Sequence, residues 1–204
     1  MTGLKIYGVA ASRAFRVIWC AEELGLDYES IPIHFADGSA KTPDYLALNP
    51  NGKIPTLVDG DFTLWESMAM TCYLARKHSR LWPNSVEDEG LVLQWSFWAI
   101  SELEKHLLTI LMNAPAFAGA NANVLAAAEG KAAAQKPLTV LNAALGKSPY
   151  LVGADFTVAD INVASLVSWA TLAKLDLAKF PHITEWYRTC MARPAAQRAA
   201  PKRV

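Results

Sequence analysis

The chain has 204 residues, 52% of them hydrophobic and 19% charged, with Lys+Arg and Asp+Glu balanced at 19 each. That is ample material for two small cores and excludes a disordered chain. The lack of a basic excess argues against a nucleic-acid or membrane-surface partner, and no run approaches the ~20 apolar residues of a membrane span.

Leu4-Lys5-Ile6-Tyr7 reads as a first strand. Ala14, Val17, Ile18, Ala21 and Leu24 recur at helical spacing, and Gly25 can stop that helix. Tyr28 to Ile33 alternates as a second strand. A loop rich in Asp, Gly, Ser and Lys runs from Asp37 to Pro43, followed by a short helical Asp44-Tyr45-Leu46-Ala47-Leu48. Thr56-Leu57-Val58 and Phe62-Thr63-Leu64 flank Asp59-Gly60, which reads as a two-residue hairpin turn. A helix from Glu66 to about His78 closes this part. The order β-α-β-α-β-β-α predicts a small α/β sheet whose first βαβ unit is parallel.

Trp82-Pro83-Asn84-Ser85 is linker chemistry, and beyond it only helices are expected. Glu87-Asp88-Glu89 supplies an acidic first turn for a long helix reaching about Met112, with Pro115 just past its end. Asn123 to about Leu145 is Ala-rich and helical. Pro137 is expected to kink or divide it, and Gly146 to cap it. The next helix, to about Leu172, opens on Thr157-Val158-Ala159-Asp160, a capping box with Asp in the reciprocal position. Phe156 and Ile161 flank the box as a hydrophobic staple needs. This helix is apolar on most faces, so it is expected at the buried centre. Pro181 starts a last helix that Pro194 ends, and the small, basic tail from Ala195 to Val204 is expected to fray. The expected domains are 1–80 and 87–204, joined by a linker at 81–86.

Cys20, Cys72 and Cys190 are far apart and form no C-x-x-C, and His34, His78, His106 and His182 lack metal-like spacing. This argues against a disulfide framework, a zinc site and a dithiol redox motif, so no metal is expected. Lys5, Arg13, Arg16 and Glu22-Glu23 interrupt every apolar run near the start. No signal peptide is expected, and the cytoplasm is the expected home.

The most informative stretch runs from Gly52-Lys53-Ile54-Pro55-Thr56-Leu57 to Trp65-Glu66-Ser67. A helix N-terminus attracts a carboxylate, Ser67 adds a hydroxyl donor, and Glu66 can receive an ammonium. That combination suits the zwitterionic end of an amino acid. If Ile54–Pro55 is cis, residue 54 turns its N–H and C=O outward, to pair with an extended peptide as an added strand would. Each residue also has an ordinary reading, because most X-Pro bonds are trans and Glu and Ser are common helix caps.

Several motifs together resemble the cytosolic glutathione transferases. They are Tyr7-Gly8, Ser12-Arg13-Ala14-Phe15-Arg16-Val17, Glu23 to Glu29, Asn49-Pro50-Asn51-Gly52-Lys53-Ile54-Pro55, Leu64-Trp65-Glu66-Ser67, Tyr73 to Lys77, and the Thr157–Asp160 box preceded by Val152-Gly153. The resemblance covers nearly the whole chain and is greatest to bacterial members of the serine-type classes, theta- or zeta-like. It implies an α/β thioredoxin-like N-terminal domain, an all-α C-terminal helical domain and a homodimer. It also implies glutathione as cosubstrate, with its γ-glutamyl end at Glu66 and Ser67. The cysteinyl backbone would lie on Ile54 before a cis Pro55, and the glycyl carboxylate near Lys53 and Lys41.

A free thiol has a pKa of ~8.5, so the chemistry needed is thiolate formation. Ser12 lies where the first strand meets the first helix and matches the serine of the serine-type motif. Its expected role is to donate a hydrogen bond to the sulfur; its ordinary reading is a helix N-cap. Arg13 and Arg16 could add positive potential or serve as solvated or ion-paired helix residues. The chain departs from the family in carrying Val9-Ala10 where many bacterial relatives have Ser-Pro, and Ala11 where some members have Cys. The electrophile pocket is expected between the domains, mostly on the helical one, with Phe15, Trp95, Phe97, Trp98 and Trp169 as aromatic candidates. The leading reading is a transferase conjugating the glutathione thiolate to a small hydrophobic electrophile. The alternatives are a non-catalytic binding or interaction protein of the same fold and a glutathione-dependent peroxidase or dehalogenase. A thiol-exchange enzyme is disfavoured by the missing active-site Cys.

Overall fold

A computed structural model describes residues 3–200. The chain divides into two compact units: the residues up to Trp82 with those from Ala192 on, and Pro83–Met191.

In the first unit, strands β1 (Leu4–Tyr7), β2 (Glu29–Ile31), β3 (Thr56–Asp59) and β4 (Phe62–Trp65) form one sheet in the order β2-β1-β3-β4. β1 pairs parallel with β2 through helix α1 (Ala14–Leu24), as predicted. β3 pairs antiparallel with β1 and with β4. The alternation in β1 turns Leu4 and Ile6 inward, and α1 buries Phe15, Val17, Ile18 and Trp19. Gly25 ends α1 in the left-handed conformation expected of it. A short helix, α2 (Pro43–Leu48), is capped by Thr42, and α3 (Ser67–Lys77) packs beside α1. Asp59 at the hairpin turn accepts from Tyr73 Oη (2.9 Å) and from Lys77, which ties the hairpin to α3. Partial burial opposes its charge, but these two donors hold its carboxyl below the usual range.

The sequence assigns the C-terminal segment to the second domain and lets its tail fray; the structure places it in the first unit. Helix α1 accounts for this. Ala195, Ala196 and Ala199 are buried, in a C-terminal helix (Pro194–Ala199) that packs on α1. Arg193 grips Glu23 with two bonds of 2.6 and 2.8 Å, and Arg198 Nε meets Glu22 at 2.8 Å. Residues 201–204 of that tail lie outside the described residues. The Glu23 side chain is only 8% exposed, so removing its partner strands a largely buried charge. Arg193→Ala is therefore expected to lower unfolding stability by about 2 kcal/mol in urea denaturation.

The second unit is helical: α4 (Val86–Trp98), α5 (Lys105–Asn113), α6 (Pro115–Ala118), α7 (Val124–Leu145), α8 (Val158–Leu172) and α9 (Pro181–Met191). The C-terminal helix of the first unit is α10. The long helix predicted to Met112 is interrupted by a π-helical stretch, Ala99–Glu104. Pro137 does not divide α7, which runs unbroken for 22 residues. Pro137 and Leu138 are buried, and packing along α7 compensates the backbone bond that proline removes. Helix α8 is buried from Val158 to Ala170, as its apolar sequence predicts. Its capping box is present, and Asn162 reaches across to Ser96 of α4 at 2.9 Å. The architecture is the expected thioredoxin-like α/β domain followed by helices.

Candidate active site

Sheet register brings the predicted residues to one edge of the first unit. Tyr7 pairs with Ile31 and with Thr56, and Thr56 pairs with Trp65. The loop after Tyr7, the segment before Thr56 and the residues after Trp65 therefore emerge at the same end of the sheet. They carry Ser12, then Lys53, Ile54 and Pro55, then Glu66 and Ser67. Gly8, at φ +132°, is what lets the first two approach: a Cβ there would lie 3.3 Å from Ile54 Cβ and 3.5 Å from Pro55 Cα.

The Ile54–Pro55 bond is cis. Among the described residues the Ile54 N–H and C=O have no intramolecular hydrogen-bond partner. Lys41 arches over the turn before this segment, with its ammonium 3.4 Å from the Asn51 carbonyl. Gly52, at φ +56°, permits this, since a Cβ would sit 2.6 Å from Lys41 Nζ. Lys41 and Lys53 are both exposed.

Glu66 adopts φ 75° and ψ 107°, a conformation that costs a non-glycine residue on the order of 1–3 kcal/mol. It precedes α3 without capping it; its side chain is exposed and makes no cap hydrogen bond. Ser67, 5% exposed, is the first residue of the helix. Among the described residues neither side chain has a hydrogen-bond partner. The first intrahelical acceptor is the Glu66 carbonyl, taken by the Met70 N–H. The N–H groups that open α3 are thus available to an anion, beside a free carboxylate and a free hydroxyl.

Ser12 is half-buried and its hydroxyl is occupied. It donates to the Val9 carbonyl at 2.7 Å and accepts from the Ala14 N–H at 3.1 Å. Its single proton is used inside the loop, which the sequence could not show. Arg16 is 1% exposed, so the solvated alternative does not hold for it. Of the aromatic candidates, Phe15, Trp95 and Trp169 are buried, Trp95 meets Trp98 edge-on at 5.1 Å, and Phe97 is 66% exposed. Tyr45, Asn49 and Thr56 also belong here, as buried polar groups under the Lys53 segment. The only sequence signal for them is Asn49 within the Asn-Pro-Asn-Gly motif. Among the described residues no group of three or more His, Cys, Asp or Glu could hold a metal, and no helix is long and apolar enough to cross a membrane.

The family model for the glutathione S-transferase N-terminal domain matches residues 2–76, and that for the C-terminal domain matches residues 102–194. The chain belongs to the glutathione S-transferase family. It is 35% identical to a probable glutathione S-transferase, GSTF2, of Oryza sativa subsp. japonica, over 98% of this chain and 97% of that protein. It is 34% identical to glutathione S-transferase 3 of Zea mays, over 97% of this chain and 93% of that one. A theta class glutathione S-transferase from Xanthomonas axonopodis pv. citri, solved with glutathione bound, is 33% identical with a TM-score of 0.92. There the match covers 98% of this chain and 97% of that one. The chain is thus a glutathione transferase, as its motifs imply. The motifs resemble bacterial members most; the rice and maize relatives are plant proteins, and the Xanthomonas structure is that of a bacterial theta class protein.

Proposed function

We propose that this transferase binds glutathione along the sheet end and adds its thiolate to a small hydrophobic electrophile, as a serine-type member of the family. The observation that carries the reading is the set of unsatisfied groups at that end. The main chain of Ile54 is ready for a peptide backbone, while Glu66, Ser67 and the start of α3 are ready for an amino-acid terminus. Glu66 would receive the γ-glutamyl ammonium. Ser67 and the helix N–H groups would hold its carboxylate, and Lys41 and Lys53 would face the glycyl carboxylate. Ser12 would release its proton from the Val9 carbonyl and donate it to the sulfur, favouring the thiolate. The gain is thiolate formation plus proximity to a co-bound electrophile. The electrophile would contact mainly the helical unit. The protein would act as a cytoplasmic homodimer, the form that the resemblance to cytosolic members of the family implies.

Glu66 supplies the test. A conformation that costs stability and leaves a carboxylate unpaired is retained where a ligand uses it. Glu66→Gly is expected to gain about 1 kcal/mol of stability by relieving the backbone. It is also expected to weaken glutathione binding at least tenfold, about 1.4 kcal/mol, by removing the ammonium's partner. Calorimetric titration with glutathione beside thermal unfolding reads both. Unchanged affinity would end the assignment of Glu66.

A further inference from the structure

Beneath the Lys53–Ile54 segment lies a closed network of buried hydrogen bonds in which every proton can be placed. Tyr45 Oη donates to the Lys53 carbonyl at 2.7 Å, and Asn49 Nδ2 donates to the same oxygen at 2.8 Å. Tyr45 has one proton, already used, so its 2.8 Å contact with Thr56 Oγ1 has Thr56 as the donor. Thr56 Oγ1 in turn accepts the second Asn49 N–H at 3.3 Å. Asn49 Oδ1 takes the Asn51 main-chain and side-chain N–H groups, both at 3.1 Å. Tyr45, Asn49 and Thr56 are all buried.

Two donors thus hold the Lys53 carbonyl inward. The Lys53–Ile54 peptide is trans, and in a planar trans peptide the N–H points opposite to the C=O. The Ile54 N–H is therefore turned away from the network, and no intramolecular partner takes it among the described residues. We propose that Tyr45, Asn49 and Thr56 are positioning residues, which fix the Ile54 N–H as a preset donor for a main-chain carbonyl of the bound peptide. This rests on the reading that the cysteinyl backbone of glutathione lies on Ile54. Burial pushes the Tyr45 hydroxyl pKa upward, so it stays protonated and keeps its donor role.

Thr56→Val keeps the side-chain volume and deletes the hydroxyl, whereas Thr56→Ser keeps the hydroxyl. Each is titrated with glutathione beside the wild type, with unfolding followed in parallel. Thr56→Val is expected to raise Kd about tenfold, about 1.4 kcal/mol, and Thr56→Ser to stay within about twofold. A folded Thr56→Val protein that binds as the wild type does would overturn the inference alone. So would equal weakening in both variants, which would mean packing rather than hydrogen bonding. A wild type that does not bind glutathione would overturn the site reading as well. If Thr56→Val does not fold, Tyr45→Phe replaces it, with the same tenfold expectation and the same overturning result.

Discussion

Ser12→Ala is expected to cut kcat/KM for conjugation roughly tenfold at neutral pH and to leave glutathione binding in place. A hydrogen bond to a charged acceptor is worth about 1.5–3 kcal/mol, and each 1.36 kcal/mol is a factor of ten in the thiolate population. The serine must first give up its 2.7 Å bond to the Val9 carbonyl, a neutral bond worth about 1 kcal/mol. That offset leaves about 0.5–2 kcal/mol, a loss centred near tenfold. The pH dependence separates thiolate stabilisation from a structural tie. Stabilising the thiolate lowers the thiol pKa, so the advantage of Ser12 is fully present below the bound pKa. It disappears above about pH 9, where a free thiol is itself ionised. The variant should therefore recover as pH rises. A serine that only ties the loop before α1, whose N-cap is Arg13, by bonding Val9 and Ala14 would lower stability by about 1 kcal/mol and show no such recovery.

Asp160→Ala is expected to lower unfolding stability by about 4 kcal/mol, a large part of the 5–15 kcal/mol that holds a typical protein folded. Asp160 is fully buried, and four donors meet its two oxygens. Oδ1 accepts from the Leu151 N–H at 3.0 Å and Trp186 Nε1 at 2.9 Å; Oδ2 accepts from the Thr157 N–H at 3.0 Å and its hydroxyl at 3.3 Å. Burial pushes the Asp160 carboxyl above the ordinary carboxylate range, and the four donors pull against that. Alanine removes all four acceptor positions and strands three buried N–H groups, each costing about 1–3 kcal/mol. Trp186→Phe removes one donor and should cost about 1–2 kcal/mol. Urea denaturation midpoints measure both. A loss below about 1 kcal/mol for Asp160→Ala would mean that water satisfies the cap.

The capping box was legible because Thr157 and Asp160 are three residues apart and make a local motif. That Trp186 joins them, from 26 positions along the chain, was not. The same distinction runs through the molecule. β1, α1 and the hairpin follow from short-range periodicity and turn chemistry. The docking of α10 depends on Glu23 and Arg193, 170 positions apart, so the tail read as loose. Pro137 read as a helix breaker because local propensity cannot see the packing that carries α7 through it. At the candidate site, residue types pointed to a ligand's charges. The positive φ at Glu66, the occupied Ser12 proton and the Tyr45–Thr56–Asn49 network are tertiary facts with no periodic signature.

Ultraviolet titration of the glutathione thiol bound to the wild-type protein, beside Ser12→Ala, tests whether Ser12 stabilises the thiolate. The expected result is a wild-type inflection below the ~8.5 of a free thiol and a return toward that value in the variant. A bound thiol that titrates as free glutathione does in the wild type, or an inflection that Ser12→Ala leaves in place, would contradict it.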